Sequence, residues 1–149
     1  MKDQHSYTVD LNWREDRRGT LSSPELNDRI EVATPPEFEG GEPGIWSPEH
    51  LFVASVSSCL MTTFLAMAGY ARLSYSHLEV HARGTLDKTE EGYMMTEITL
   101  YPALTIERER DRDKAVRLLE KAEKNCLISR SVKTRIRLEC EVTVSDPVW

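Results

Sequence analysis

The run Ser47-Pro48-Glu49-His50-Leu51-Phe52-Val53-Ala54-Ser55-Val56-Ser57-Ser58-Cys59, continued without a break to Arg72, decides how the rest of the chain is read. Ser47 suits a helix cap, Pro48 the first helical position, and Glu49 the positive end of the helix dipole. The helix they start should run to about Arg72. Between Leu51 and Ala71 it carries no charged residue, and a stretch of that length can cross a bilayer. Ser55, Ser57, Ser58, Thr62, Thr63 and Gly69 interrupt it, however, and no cluster of Lys or Arg flanks it to set an orientation. The expectation is a helix buried on nearly all sides within a protein that contacts no membrane.

Outward from this helix, the upstream segment is rich in strand signals. Tyr7, Val9, Leu11 and Trp13 alternate along a strand from Tyr7 to Trp13, the charged stretch Arg14 to Gly19 is a turn, and short strands follow around Thr20–Ser23 and Arg29–Ala33. Pro35, Pro36, Gly40, Gly41, Pro43 and Gly44 then make a long loop. Downstream, alternation predicts strands at Tyr75–Asp87 and Tyr93–Ile106, joined by a hairpin turn at Glu90-Glu91-Gly92. A second helix spans about Glu109 to Asn125, with Ala115, Leu118, Leu119, Ala122 and Cys126 on one face. The last element, Thr134 to Val144, alternates Ile136, Leu138, Cys140, Val142 and Val144 as a half-buried strand. This order reads as an α+β fold of mainly antiparallel sheets around a long buried central helix.

A chain of 149 residues fits a single domain over residues 1–149 and can bury a core without metals or disulfides. Its net charge of −6 disfavours nucleic-acid backbones and anionic membranes as partners. Three cysteines is an odd number for a secreted disulfide framework, and the polar start from Met1 to Trp13 does not read as a signal peptide. The expected compartment is the cytoplasm, where a disulfide is more often transient than structural. His5, His50, His77 and His81 form no metal-binding motif, and no Gly-rich phosphate loop follows a strand, so neither metal nor cofactor is expected. His77 and His81 fall on the polar face of their strand, while His50 stands at the helix start, from where it could approach a site.

Free cysteine is commonly a small core residue, and Cys59, Cys126 and Cys140 each satisfy that reading. Cys140 has acidic neighbours in Glu139 and Glu141, which discourage a thiolate, so it is assigned to packing. For the other two, the surrounding motifs say more. Ser-Pro-Glu-His-Leu-Phe followed by Ala-Ser-Val-Ser-Ser-Cys (47–59) resembles the pattern of the OsmC/Ohr thiol peroxidases, and Cys126-Leu127-Ile128-Ser129 resembles that family's motif around its second cysteine. The charged turn before Gly19-Thr20 corresponds to the place where the family supplies an arginine. Arg14, Arg17 and Arg18 all stand there, with Arg18 and Arg17 nearest Gly19. The chain departs from the family in having Leu127 where proline is common after the second cysteine, and Ser47 where asparagine is usual.

The resemblance implies an organic hydroperoxide reductase in which Cys59 attacks the peroxide, Cys126 resolves the sulfenic acid as a disulfide, and a dithiol such as a lipoyl group restores both thiols. Physical chemistry fits these roles. A peroxidatic cysteine must be a thiolate, which a neighbouring cation favours, and arginine keeps its charge at any working pH. Arg18 or Arg17 would also stabilise the leaving alkoxide, with Glu49 holding the guanidinium by a bidentate pair. Phe52, Val56, Leu60 and Met61 would favour alkyl or lipid hydroperoxides.

Glu49 and Cys59 lie ten residues apart, about 15 Å along a helix, so an arginine or a partner chain must bridge them. The family's intertwined homodimer fits that demand and implies a two-fold dimer here. The alternatives are a non-catalytic relative that binds a small hydrophobic ligand, or a redox sensor whose cysteines report oxidation to a partner protein.

Overall fold

The computed structural model describes residues 3–145; Met1, Lys2 and the final four residues of the expected domain lie outside the described residues. The chain divides into two compact units at the boundary between Leu51 and Phe52.

The first unit is a three-stranded antiparallel sheet: β1 (Asp10–Glu15), β2 (Arg18–Ser22) and β3 (Ile30–Ala33), in that order. The β1–β2 turn narrows to Asp16-Arg17, where Asp16 takes φ +46° and its carbonyl accepts the Trp13 indole N–H at 3.0 Å. Arg18 therefore becomes the first residue of β2, opposite Ala33 of β3. Tyr7 and Val9 precede β1 rather than lying in it, and with Leu11 and Trp13 they are 62–84% exposed. The Pro/Gly-rich loop is tied down at both ends, by Ala33 N–H to Trp46 O at 2.9 Å and Glu42 N–H to Thr34 O at 2.9 Å. Gly41 is required within it, because an added Cβ would fall 2.0 Å from the Pro35 carbonyl oxygen.

Ser47 caps the central helix as expected. Its Oγ accepts the His50 backbone N–H at 3.1 Å and shares a second hydrogen bond with His50 Nδ1 at 2.7 Å. Helix α1 runs Pro48–Tyr70 and crosses from the first unit into the second. Its length and mean hydropathy of 1.8 would suit a membrane span, but a stripe of Val56, Leu60, Phe64 and Ala68 is fully buried in the core of the second unit. The opposite face is open: Met61 and Leu65 are each more than a third exposed and Tyr70 is 91% exposed. Burial on nearly all sides is thus not met within the single chain, which covers one stripe and leaves the other bare.

In the second unit, β4 (Tyr75–Thr89) and β5 (Gly92–Ile106) form a long antiparallel hairpin closed by Glu90-Glu91, with Gly92 at φ +116°. Ile98, Leu100, Leu104 and Ile106 on one face of β5 pack with the α1 stripe and with Ala115, Leu119 and Ala122 of α2 (Arg112–Lys124). The other face leaves His77, Glu79, His81 and Arg83 exposed, as their alternation predicted. A short 3-10 turn at Glu109–Asp111 precedes α2, and α3 (Leu127–Arg130) follows it.

The C-terminal strand differs from expectation in two ways. It is split into β6 (Arg135–Leu138) and β7 (Glu141–Val144), and both run parallel to β5, so the second sheet is mixed. Pro102 explains the split. The ladder continues as far as Glu139 N–H to Leu100 O at 2.9 Å. The next donor along β5 would come from Pro102, which has no N–H. Pairing resumes at Ala103 opposite Glu141.

Candidate active site

Cys59 lies midway along α1 and is partly buried, whereas Cys126 is fully buried at the joint between α2 and α3. Both are free thiols in the same unit, and the fold brings them into hydrogen-bonding reach of each other. Cys126 has an extended backbone (φ −68°, ψ 115°) and stands at the N-cap position of α3. That geometry turns the first N–H groups of α3 toward the Cys59 sulfur.

The two thiols are electrostatically unlike. Burial alone would push the Cys59 thiol up, but hydrogen bonds outweigh it and lower its pKa: the Cys126 S–H, the Ile128 backbone N–H, the Thr63 hydroxyl and the Leu127 backbone N–H all favour the thiolate. Thr63 Oγ1 stands 3.9 Å from Cys59 Sγ, one helical turn on. Cys126 is shifted the other way, by burial first and then by the hydrogen bond that commits its proton to Cys59. Cys140 is pushed up to about 11 by burial and by the charge of Glu120. The expected assignment of Cys140 to packing stands, with Glu120 as the acid that weighs on it rather than its sequence neighbours Glu139 and Glu141.

The lowering of Cys59 was expected from an arginine; within the chain its sources are hydrogen bonds. The three candidate arginines are distributed as follows. Arg14 Nε donates to Thr20 Oγ1 at 2.9 Å. Arg17 lays its side chain against Gly40, whose φ is +79°. Arg18 is held by carboxylates: its Nη2 reaches Glu42 Oε1 at 2.8 Å, its Nε reaches Glu42 Oε2 at 3.4 Å, and Glu31 lies at 3.9 Å. The bidentate partner expected at Glu49 is therefore Glu42, which the Pro/Gly-rich loop delivers. Glu49 Oε1 is buried and has no hydrogen-bond partner among the described residues. Arg17 and Arg18 also border a cavity of about 380 Å³ in the first unit, whose apolar walls include Leu11, Trp13 and Val32.

Sequence reasoning missed Glu42, Thr63 and the donors of α3. Thr63 was within reach of it, since residues four apart share a helix face. Glu42 carried no periodic signal, because it sits in a loop.

Comparison with known proteins places the chain in a family. The profile of the OsmC-like protein family matches residues 40–141, and the chain belongs to that family. It is 27% identical over 149 residues to the uncharacterized protein YmaD of Bacillus subtilis, covering 97% of each chain. Among solved structures it is similar to an OsmC-like protein of unknown function from Vibrio cholerae, with a TM-score of 0.83 and 22% identity over 92% of this chain and 99% of that one. It also resembles the organic hydroperoxide resistance protein of Elizabethkingia anophelis (TM-score 0.74, 22% identity, 97% of this chain and 100% of that one). A further likeness is to OhrB of B. subtilis (TM-score 0.68, 21% identity, 93% and 98%).

Proposed function

We propose that this chain is a cytoplasmic, thiol-dependent reductase of organic hydroperoxides that works as a homodimer. The observation that carries this reading is the pair of facing thiols with opposite proton affinities. A thiolate at Cys59 attacks the distal peroxide oxygen, the O–O bond breaks, and the alcohol leaves with Cys59 as a sulfenic acid. Cys126 then displaces the hydroxyl to form a disulfide, which a dithiol such as a lipoyl group reduces. Arg18, fixed by Glu42 and Glu31, is the cation assigned to the leaving alkoxide, with Arg17 as the alternative. Glu49, a buried carboxylate oxygen still without a donor, is the group left to meet substrate or the partner chain.

The test is consumption of tert-butyl or cumene hydroperoxide with dihydrolipoamide, on wild type and on each Cys→Ser variant. Cys59→Ser should abolish turnover, Cys126→Ser should stop after one equivalent, and Cys140→Ser should retain turnover. Peptide mapping after one equivalent of hydroperoxide should show a Cys59–Cys126 bond within a chain. Full turnover by Cys59→Ser, or a bond between chains, overturns the assignment.

A further inference from the structure

Resolution poses a problem that the two cysteines do not solve between them. Cys126 must lose its proton to attack, yet it is completely buried and its proton is held toward Cys59. Its side chain has no direct contact with solvent that could take that proton quickly. Two polar atoms in the same joint are shielded from solvent and have no hydrogen-bond partner among the described residues: Glu123 Oε2 and Ser129 Oγ. Native folds rarely leave buried polar atoms unpaired without a role for them.

Glu123, Cys126 and Ser129 follow one another at intervals of three residues across the α2–α3 joint. The joint is stitched by Cys126 N–H to Glu123 O at 3.1 Å and Arg130 N–H to Cys126 O at 3.1 Å. We propose that Glu123, acting through the Ser129 hydroxyl, is the positioning residue that accepts the Cys126 proton as the disulfide forms.

The electrostatics agree. The Ser129 hydroxyl favours the charged form of Glu123 and the charged form of Cys126. A hydroxyl donates and accepts at once, as a relay requires. Burial raises the pKa of Glu123, which narrows the gap between carboxylate and thiol. Cys59 is the titratable group acting on Cys126, while Glu123 feels burial and then Ser129.

This inference rests on the peroxidase reading for its sulfenic acid, which an organic hydroperoxide supplies. The Cys126 sulfur attacks the Cys59 sulfur, the S–S bond forms and the S–O bond breaks. Cys126 is oxidised and the sulfenic sulfur is reduced. The hydroxide leaves as water, taking up the proton that Ser129 and Glu123 carried away from Cys126.

The experiment avoids hydroperoxide, so that the two readings fail separately. In a Cys140→Ser background, dithiobis(nitrobenzoate) modifies Cys59 and releases one thionitrobenzoate. Attack by Cys126 on the mixed disulfide then releases a second, and its proton must go to the same acceptor. Glu123→Gln should slow the second release about 100-fold near neutral pH, the lower end of what a positioned proton acceptor contributes. The first release, in the same trace, reports whether the fold around Cys59 is intact. The deficit should close as pH rises and Cys126 ionises unaided, and Glu123→Asp should recover part of the rate.

Ser129→Ala, a small change, should reproduce the slowing and guards against a Glu123 variant that does not fold. A second release at the wild-type rate, or one slowed equally at every pH, overturns the relay. If the relay effect appears but the chain consumes no hydroperoxide, the peroxidase reading falls and the proton path stands.

Discussion

Cys59 and Cys126 lie within hydrogen-bonding reach of each other and are shifted in opposite directions: burial and then the contact with Cys59 raise Cys126, while burial of Cys59 is outweighed by hydrogen bonds from Cys126, Ile128, Thr63 and Leu127, which lower it. The difference favours the thiolate at Cys59 and the thiol at Cys126.

The order of thiol reactivity follows. Alkylation rate against pH should show Cys59 reacting first, with an inflection below that of a free thiol, because a lowered pKa populates the thiolate at lower pH. Cys140, pushed up to about 11, should react only in alkaline solution. Cys126→Ala should move the Cys59 inflection upward, while Cys126→Ser, which still donates, should move it less. Earlier alkylation of Cys140 in the folded protein would contradict the ranking.

Leu127 gives a second test. Its backbone N–H is one of the donors to Cys59, and proline at that position would remove it. Leu127 is the first residue of α3 and is 63% exposed, a place where proline is tolerated. Leu127→Pro should therefore raise the Cys59 inflection with little change in melting temperature, and Leu127→Ala should leave both unmoved. An unchanged inflection in the proline variant would show that the Leu127 N–H does not act on the sulfur.

The arginine site separates three residues. Arg18→Gln should lower hydroperoxide turnover on the order of 100-fold, the cost of losing one preorganised charge-stabilising group. Glu42→Gln keeps the arginine but loosens its clamp and should fall between Arg18→Gln and wild type. Glu49→Ala should also lower turnover if its unpaired oxygen meets substrate or partner. Steady-state rates with cumene hydroperoxide check all three, and full activity in Arg18→Gln would transfer the role to Arg17.

Much of this was legible beforehand, for local reasons. Ser47, Pro48 and Glu49 announce the start of α1, and the β4–β5 hairpin follows from alternation around Glu90-Glu91-Gly92. The direction of β6 and β7 was not, because a half-buried strand alternates identically whether it pairs parallel or antiparallel. The break at Glu139-Cys140 was hidden too, since its cause, Pro102, lies in another strand. At the candidate site, the motifs pointed to Cys59 and Cys126, which the fold places in the same unit. Their hydrogen-bond donors were not legible, because backbone N–H groups leave no mark in a sequence.

Assembly is the fourth test. Tyr7, Val9, Leu11 and Trp13 leave an apolar row beside an edge strand, and Met61, Leu65 and Tyr70 leave another on α1. An obligate two-fold interface over such surfaces should bury more than about 2,000 Å². Light scattering after size exclusion should report twice the chain mass at micromolar concentration, with no folded monomer on dilution. Trp13→Asp should weaken the dimer if that row is part of the interface. A stable wild-type monomer would refute the dimer, and extraction only in detergent would return α1 to the membrane.

The central strand also sets a timetable. β5 zips to β4 across a two-residue turn, but meets β6 only where Glu97 pairs with Arg135, after the whole intervening crossover has been laid down. Closing the longer loop costs more chain entropy, so the hairpin forms early and the parallel pairing late. Cys126 lies inside that crossover. A nascent chain therefore carries Cys59 before Cys126 and the α3 donors that lower its pKa have arrived, and in that interval the thiol keeps its ordinary, weakly ionised character. For this fold, completing the crossover is also what sensitises the Cys59 sulfur.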